Sequence, residues 1–143
     1  MKKRNMSGQS GFTLIEVMVV VAILGILAAV VVKSGLLERP EQARIAAAKI
    51  SLKELSSVLE LYKLDNYRYP TTDEGLDALV NKPASARVFP QGGYVKGGLP
   101  KDPWGNPFQY AVPGSNGRSY DLYSWGADGA EGGEGDNADI YAE

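Results

Sequence analysis

Hydrophobic and polar positions fall into three regimes along this chain. From Phe12 to Val32 the run is apolar in character with a single charge, Glu16, and Lys33 closes it. As a helix at ~1.5 Å per residue, that run measures about 31 Å, close to the ~30 Å hydrocarbon layer of a bilayer. Further on, Ile45, Ala48, Leu52, Leu55, Leu59 and Tyr62 recur every three or four positions, with Lys49, Lys53, Glu54 and Glu60 off that stripe. This spacing, in a segment rich in Ala, Leu, Glu and Lys, predicts an amphipathic helix over 41–64. Asp65-Asn66 and Pro70 end it. Between the two segments, Ser34-Gly35 and Pro40 mark either the weak point of one long helix or a true break.

The third regime is short and turn-rich. Thr72 is placed to cap a brief helix, DEGLDALVN, with acids in its first turn. FQYAV and SYDLYSW alternate and are separated by PGSNGR, which predicts a β-hairpin. A third strand is expected near Tyr94 to Leu99. The final stretch, GADGAEGGEGDNADIYAE, has little to pack and several acids. The fold class that follows is α+β: a long N-terminal helix, half membrane-spanning and half amphipathic, on a small antiparallel sheet. The many aromatics after Tyr62 read mainly as core, and DPWGNP as a turn anchored by Trp104.

Composition removes several kinds of chemistry. The 143 residues suit one domain and include no His and no Cys. Histidine-based triads, His-ligated zinc, thiol nucleophiles and disulfides are therefore excluded. The 15 Lys+Arg and 17 Asp+Glu are scattered, with no footprint for nucleic acid. No carboxylate pair sits in a hydrolase motif, so an enzyme is not expected. Lys2, Lys3 and Arg4 precede the apolar run, which predicts a cytoplasmic N-terminus with the rest of the chain outside.

Glu16 divides the readings of the N-terminal segment. A cleaved secretory signal peptide and an uncleaved signal anchor both leave it unexplained. An acid in a membrane segment costs roughly 2.5 kcal/mol or more at mid-bilayer and is a functional candidate by default. A cut between Gly11 and Phe12 would supply a partner. The new α-amine has a pKa of ~7.7–8.0 and is mostly cationic at neutral pH. Glu16 would stand four residues on, able to neutralise the amine of its own chain or of a neighbour.

GFTLIEVMVVVAILGILAA resembles the class III signal of type IV pilin-like proteins. RPEQAR, LYKLDNYRYPTTDEGLDALVNKP, DPWGNPFQY and DLYSWGADGAEGGEGDNADI narrow the likeness. Over residues 7–140 the chain resembles the major pseudopilins of type II secretion systems. The resemblance implies a leader over 1–11, cut by a prepilin peptidase between Gly11 and Phe12, with N-methylation of Phe12. It implies a transmembrane and polymerisation helix over 12–32, a periplasmic head over 33–143, and a role for Glu16 in assembly. The product would be a homopolymer that also meets minor pseudopilins and an inner-membrane assembly platform. That fibre would drive folded exoproteins through an outer-membrane secretin. The alternatives are a type IV pilus major pilin, against which the missing Cys tells, and a signal-anchored periplasmic binding domain that never polymerises.

The acidic C-terminal loop has two readings from the residues alone: a solvated Gly-rich loop, or a Ca²⁺ site, since Ca²⁺ takes 6–8 oxygens. The spacing is not that of an EF-hand. The resemblance implies one Ca²⁺ here, with Asp128 and Asp139 as acidic ligands. The family often has a second acid before the last one, where this chain has Ala138, so Asp136 or Asn137 must replace it. Main-chain carbonyls near Trp125 and Ala130 would complete the set, leaving Glu131 and Glu134 to solvent. The chain also departs from the family at Lys33, where a Pro is common. A kink would then rest on Gly35 and Pro40.

Overall fold

The computed structural model describes residues 11–33 and 39–143. The basic leader over 1–10 and the Ser34-Gly35 junction lie outside the described residues. The chain divides at Arg39/Pro40 into two compact units.

The first unit holds one helix, α1, Leu14–Lys33. It is apolar on every side, and its large hydrophobic side chains are 49–80% exposed. A helix of this kind is stable only in lipid or among other apolar helices. It begins where Thr13 accepts the Glu16 N–H on its carbonyl at 3.1 Å and on its hydroxyl at 3.3 Å.

The second unit is built on α2, Arg39–Asn66. Pro40 sits in its first turn, where a missing N–H costs nothing. It opens this helix rather than kinking it. The predicted stripe is the one that is buried: Ala48, Leu52, Leu55, Leu59 and Tyr62 are at most 2% exposed, and Ile45 is partly buried at its edge. They pack on Leu76, Ala78 and Leu79 of a short 3-10 helix, on Phe108, and on Leu122 and Ile140 of the sheet. The hairpin forms as expected. β1, Gln109–Ala111, pairs antiparallel with β2, Asp121–Ser124, placing Tyr110 opposite Leu122.

Four expectations are corrected. The third strand is not over 94–99 but is β3, Ile140–Tyr141, which pairs antiparallel with β2 to give the order β1-β2-β3. Around Tyr94 the chain turns instead, with Gly92, Gly93, Gly97 and Gly98 at positive φ that a strand cannot use. The final stretch accordingly does pack, since Ile140 is a core residue. The helix after Pro70 is a single 3-10 turn, Leu76–Leu79. Thr71, not Thr72, caps the turn ahead of it: its hydroxyl accepts the Glu74 N–H, and Glu74 accepts the Thr71 N–H at 2.9 Å. Thr72 is committed elsewhere, exchanging two 2.9 Å hydrogen bonds with the main chain of Val112.

Candidate functional site

At the N-terminal site the structure changes one detail of the Phe12–Glu16 pair. α1 starts at Leu14, so Phe12 stands before the helix and is 85% exposed. The i, i+4 helical spacing expected for a pair within one chain is not formed. Glu16 lies in the first turn, where its charge complements the helix dipole. Thr13-Leu14-Ile15-Glu16 also has the spacing of a capping box, a signal in the sequence that gives this acid a local reason to be there. Gly11 is in open surroundings, with nothing within 4 Å of an added Cβ.

The C-terminal loop runs from Trp125 to Asp139. Its shape depends on close main-chain approaches: at Gly126, with φ of 70°, a Cβ would lie 2.7 Å from the Ala138 carbonyl oxygen. Gly133 is pressed harder still against the Asn137 main chain. The Asp128 carboxylate accepts the Ala130 N–H at 3.1 Å, and Asp139 Oδ2 accepts the Gly132 N–H at 3.0 Å. Asp139 Oδ1 is buried with no partner. A buried carboxylate oxygen without a donor is unfavourable, and a cation is one remedy. Asp136 is exposed in a 3-10 turn, and its carbonyl accepts the Ala127 N–H at 3.3 Å. Glu131 and Glu134 face solvent. Among the described residues no three acids are gathered closely enough to hold an ion together. Asp128, Asp136 and Asp139 thus share a loop without forming a ready cluster.

Sequence reasoning missed the residue that supports this loop. Asp102 is 4% exposed. Its Oδ1 accepts N–H groups from Trp104 at 3.1 Å and Asn106 at 2.8 Å, and its Oδ2 accepts the Ser124 hydroxyl at 2.7 Å. Ser124 Oγ in turn accepts the Gly126 N–H at 3.2 Å. One carboxylate therefore organises the DPWGNP turn, the end of β2 and the entry to the acidic loop. The signal was the Asp-Pro opening of that turn, since Asp accepts from main chain two residues on. Trp104 Nε1 donates to Glu41 Oε1 in the first turn of α2 at 2.7 Å. Most other aromatics pack against the core as expected, but Tyr67 does not. It is 78% exposed and holds φ of 62°.

Comparison with known proteins covers both the N-terminal segment and the head. A family model described as Type II secretion system (T2SS), protein G, fits residues 35–143, and one described as a prokaryotic N-terminal methylation motif fits residues 6–32. The type II secretion system core protein G of Pseudomonas aeruginosa is 55% identical over 135 residues, covering 92% of this chain and 93% of its own. That of Vibrio cholerae is 55% identical over 139 residues, with 96% and 93% covered. Among solved structures, the major pseudopilin from the type 2 secretion system of enterohaemorrhagic Escherichia coli aligns with a TM-score of 0.65 at 39% identity. That alignment covers 75% of this chain and 92% of that one.

Proposed function

Because this chain belongs to the type II secretion system protein G family, and is a pseudopilus subunit, we propose that α1 serves two environments in turn. It first holds the chain in the inner membrane, with the N-terminus cytoplasmic and the head periplasmic. After a prepilin peptidase cuts between Gly11 and Phe12, it packs among copies of itself as the core of a periplasmic fibre. The observation that carries this reading is a helix apolar on all sides with one acid in its first turn. Moving such a helix from lipid into a bundle exchanges one apolar surrounding for another, so the charge decides the outcome. The freed Phe12 amine is cationic at neutral pH. Since Phe12 precedes the helix, Glu16 pairs best with the amine of an adjacent subunit, and a slipped register would leave two charges unpaired.

The family is structural, and the work assigned to this chain is mechanical: a growing fibre pushes folded exoproteins toward the outer-membrane secretin. Minor pseudopilins and the inner-membrane assembly platform are its further partners. Removing Lys2, Lys3 and Arg4 leaves 12 Lys+Arg against 17 Asp+Glu, a formal net of -5, so stacked heads repel one another. A Ca²⁺ ion in the C-terminal loop would relieve part of that. The orphaned Asp139 Oδ1 supports it, with Asp128, the carbonyls of Trp125 and Ala130, and Asp136 or Asn137 as companions. Bound there, the ion would supply charge neutralisation and hold the loop closed.

Mass analysis of the membrane-extracted protein tests the processing step. The expected start is N-methyl-Phe12, and a start after Ala29 refutes it. Glu16→Gln tests the pairing, because Gln keeps a capping-box side chain and loses only the charge. The variant should be processed normally and form no fibres. Normal fibres would remove the charge pair from the account.

A further inference from the structure

At the C-terminal end of α2 the head displays a surface that its own fold does not use. Tyr67 is the first residue past the helix, and its N–H donates to the Lys63 carbonyl at 2.7 Å. This is the position that Gly or Asn normally takes, because φ of 62° crowds a side chain. The cost is borne by a residue whose ring is 78% exposed, which points away from a folding role. Around it, Leu64 is 74% exposed and Val88 is 49% exposed. The Arg87 guanidinium lies 5.5 Å from the Tyr67 ring centre. Asn66 locks the patch in place by accepting the Arg87 and Val88 N–H groups at 2.7 and 3.0 Å. Asp65, the nearest acid in sequence, is occupied by the Tyr94 hydroxyl at 2.9 Å.

We propose that this Leu64–Tyr67–Arg87–Val88 patch docks the acidic loop of a second copy of the chain in the fibre, with Glu131 and Glu134 facing Arg87. The inference rests on the polymer reading above. An open fibre needs heterologous contacts, one patch of each subunit meeting a different patch of the next. Charge along the head is segregated as such a contact requires. Residues 119–143 carry seven carboxylates and no Lys or Arg, so the cations lie earlier in the chain. Arg87, Glu131 and Glu134 make no ion pair among the described residues. The other cationic surface beside an apolar floor, at Lys49, Ile50 and Lys53, already adjoins its own chain's Tyr141 and Glu143. Arg87, which lies over an exposed ring, has no such screen among the described residues. In the free head this cation–π pair is exposed, and a partner that covers it would desolvate and so strengthen it while bringing an anion to Arg87.

The chain has no cysteine, so introduced thiols are the only ones present. Full-length chains carrying Tyr67→Cys and chains carrying Glu131→Cys or Glu134→Cys are co-expressed with the secretion machinery, and disulfide-linked dimers are scored. Dimers should appear only when both partners are present. In Arg87→Glu chains their yield should fall at least tenfold, and Glu134→Arg should restore it. Absence of dimers at both acidic positions overturns the contact, whether or not fibres form. Dimers without fibres support the contact and count against the polymer reading alone. Tyr67→Asn in the full-length chain should melt no lower than the parent yet lower fibre yield at least fivefold. A loss of fibres that tracks a loss of thermal stability would assign Tyr67 a structural role and overturn the proposal.

Discussion

Asp102→Ala is the most informative change to the head, because the structure shows what each lost bond leaves behind. The side chain holds two main-chain N–H groups and one hydroxyl, and it is 4% exposed. Hydrogen bonds to a charged group contribute ~1.5–3 kcal/mol each, and a donor left buried without a partner costs ~1–3 kcal/mol. Relaxation and entering water return part of this, so a net loss of about 3–5 kcal/mol is expected. Against a total of ~5–15 kcal/mol, that is a large fraction. At ~4–8 °C per kcal/mol for a domain near this size, Tm should fall by roughly 12 °C or more. Asp102→Asn separates the contributions. Its Oδ1 still accepts both N–H groups, now without charge assistance, and only the Ser124 hydroxyl bond is removed, so a smaller loss of about 1–2 kcal/mol is expected. The assay is thermal unfolding by circular dichroism, with amide exchange read at Gly126 and the loop beyond. Exchange there should rise in Asp102→Ala, because Ser124 loses the partner that orients it toward the Gly126 N–H. A drop under ~1 kcal/mol for Asp102→Ala, or equal drops for both variants, would refute the reasoning.

Other expectations concern packing, acid and calcium. Leu59 is fully buried, so Leu59→Ala should cost ~2–5 kcal/mol by chemical denaturation, and a cost near zero would contradict the core assignment. Glu74 is held down at about 2 by its hydrogen bond with the Arg68 guanidinium, helped by Ser85 and the Thr71 N–H. Its folded value lies below its ordinary 4.5, so its contribution is present above about pH 5 and is lost as pH falls toward 2. Arg68→Ala should flatten the melting temperature across that window, and an acid limb identical to the parent's would refute the pairing. Calcium chelation should lower the melting temperature of the parent chain and leave that of Asp139→Asn unmoved. A parent indifferent to chelation would leave the loop as a solvated one.

The legible parts of this molecule were those whose cause is local. The membrane-length helix and the α2 stripe are periodic, and the hairpin is announced by two alternating segments around a turn. What escaped depended on pairing between distant residues. β3 is two residues long, and Ile140 becomes a core position only because β2 offers it an edge. No window around 94–99 reveals that Tyr94 and Val95 both donate to the Leu79 carbonyl. Asp102 looked like one acid among many, because its three donors come from 104, 106 and 124. The Thr71–Glu74 cap was within reach, since T-x-x-E was written in TTDE and only the choice between adjacent threonines was wrong. For the acidic loop, composition suggested an ion, yet the folded chain commits the Asp128 carboxylate to an N–H of its own loop.

The bond from Trp104 to Glu41 has a mechanical meaning. In the mechanical role proposed above, a subunit would receive force through the start of α2, while resistance acts on the head's surface. The first turn of α2 is therefore where shear between helix and head concentrates. A single 2.7 Å hydrogen bond there joins positions 63 residues apart. Its strength matters less at rest than its lifetime under strain, for once it opens the first turn of α2 is held to the head only through the buried stripe that begins at Ile45. Such a latch would govern how rapidly the fibre can be driven before its subunits deform.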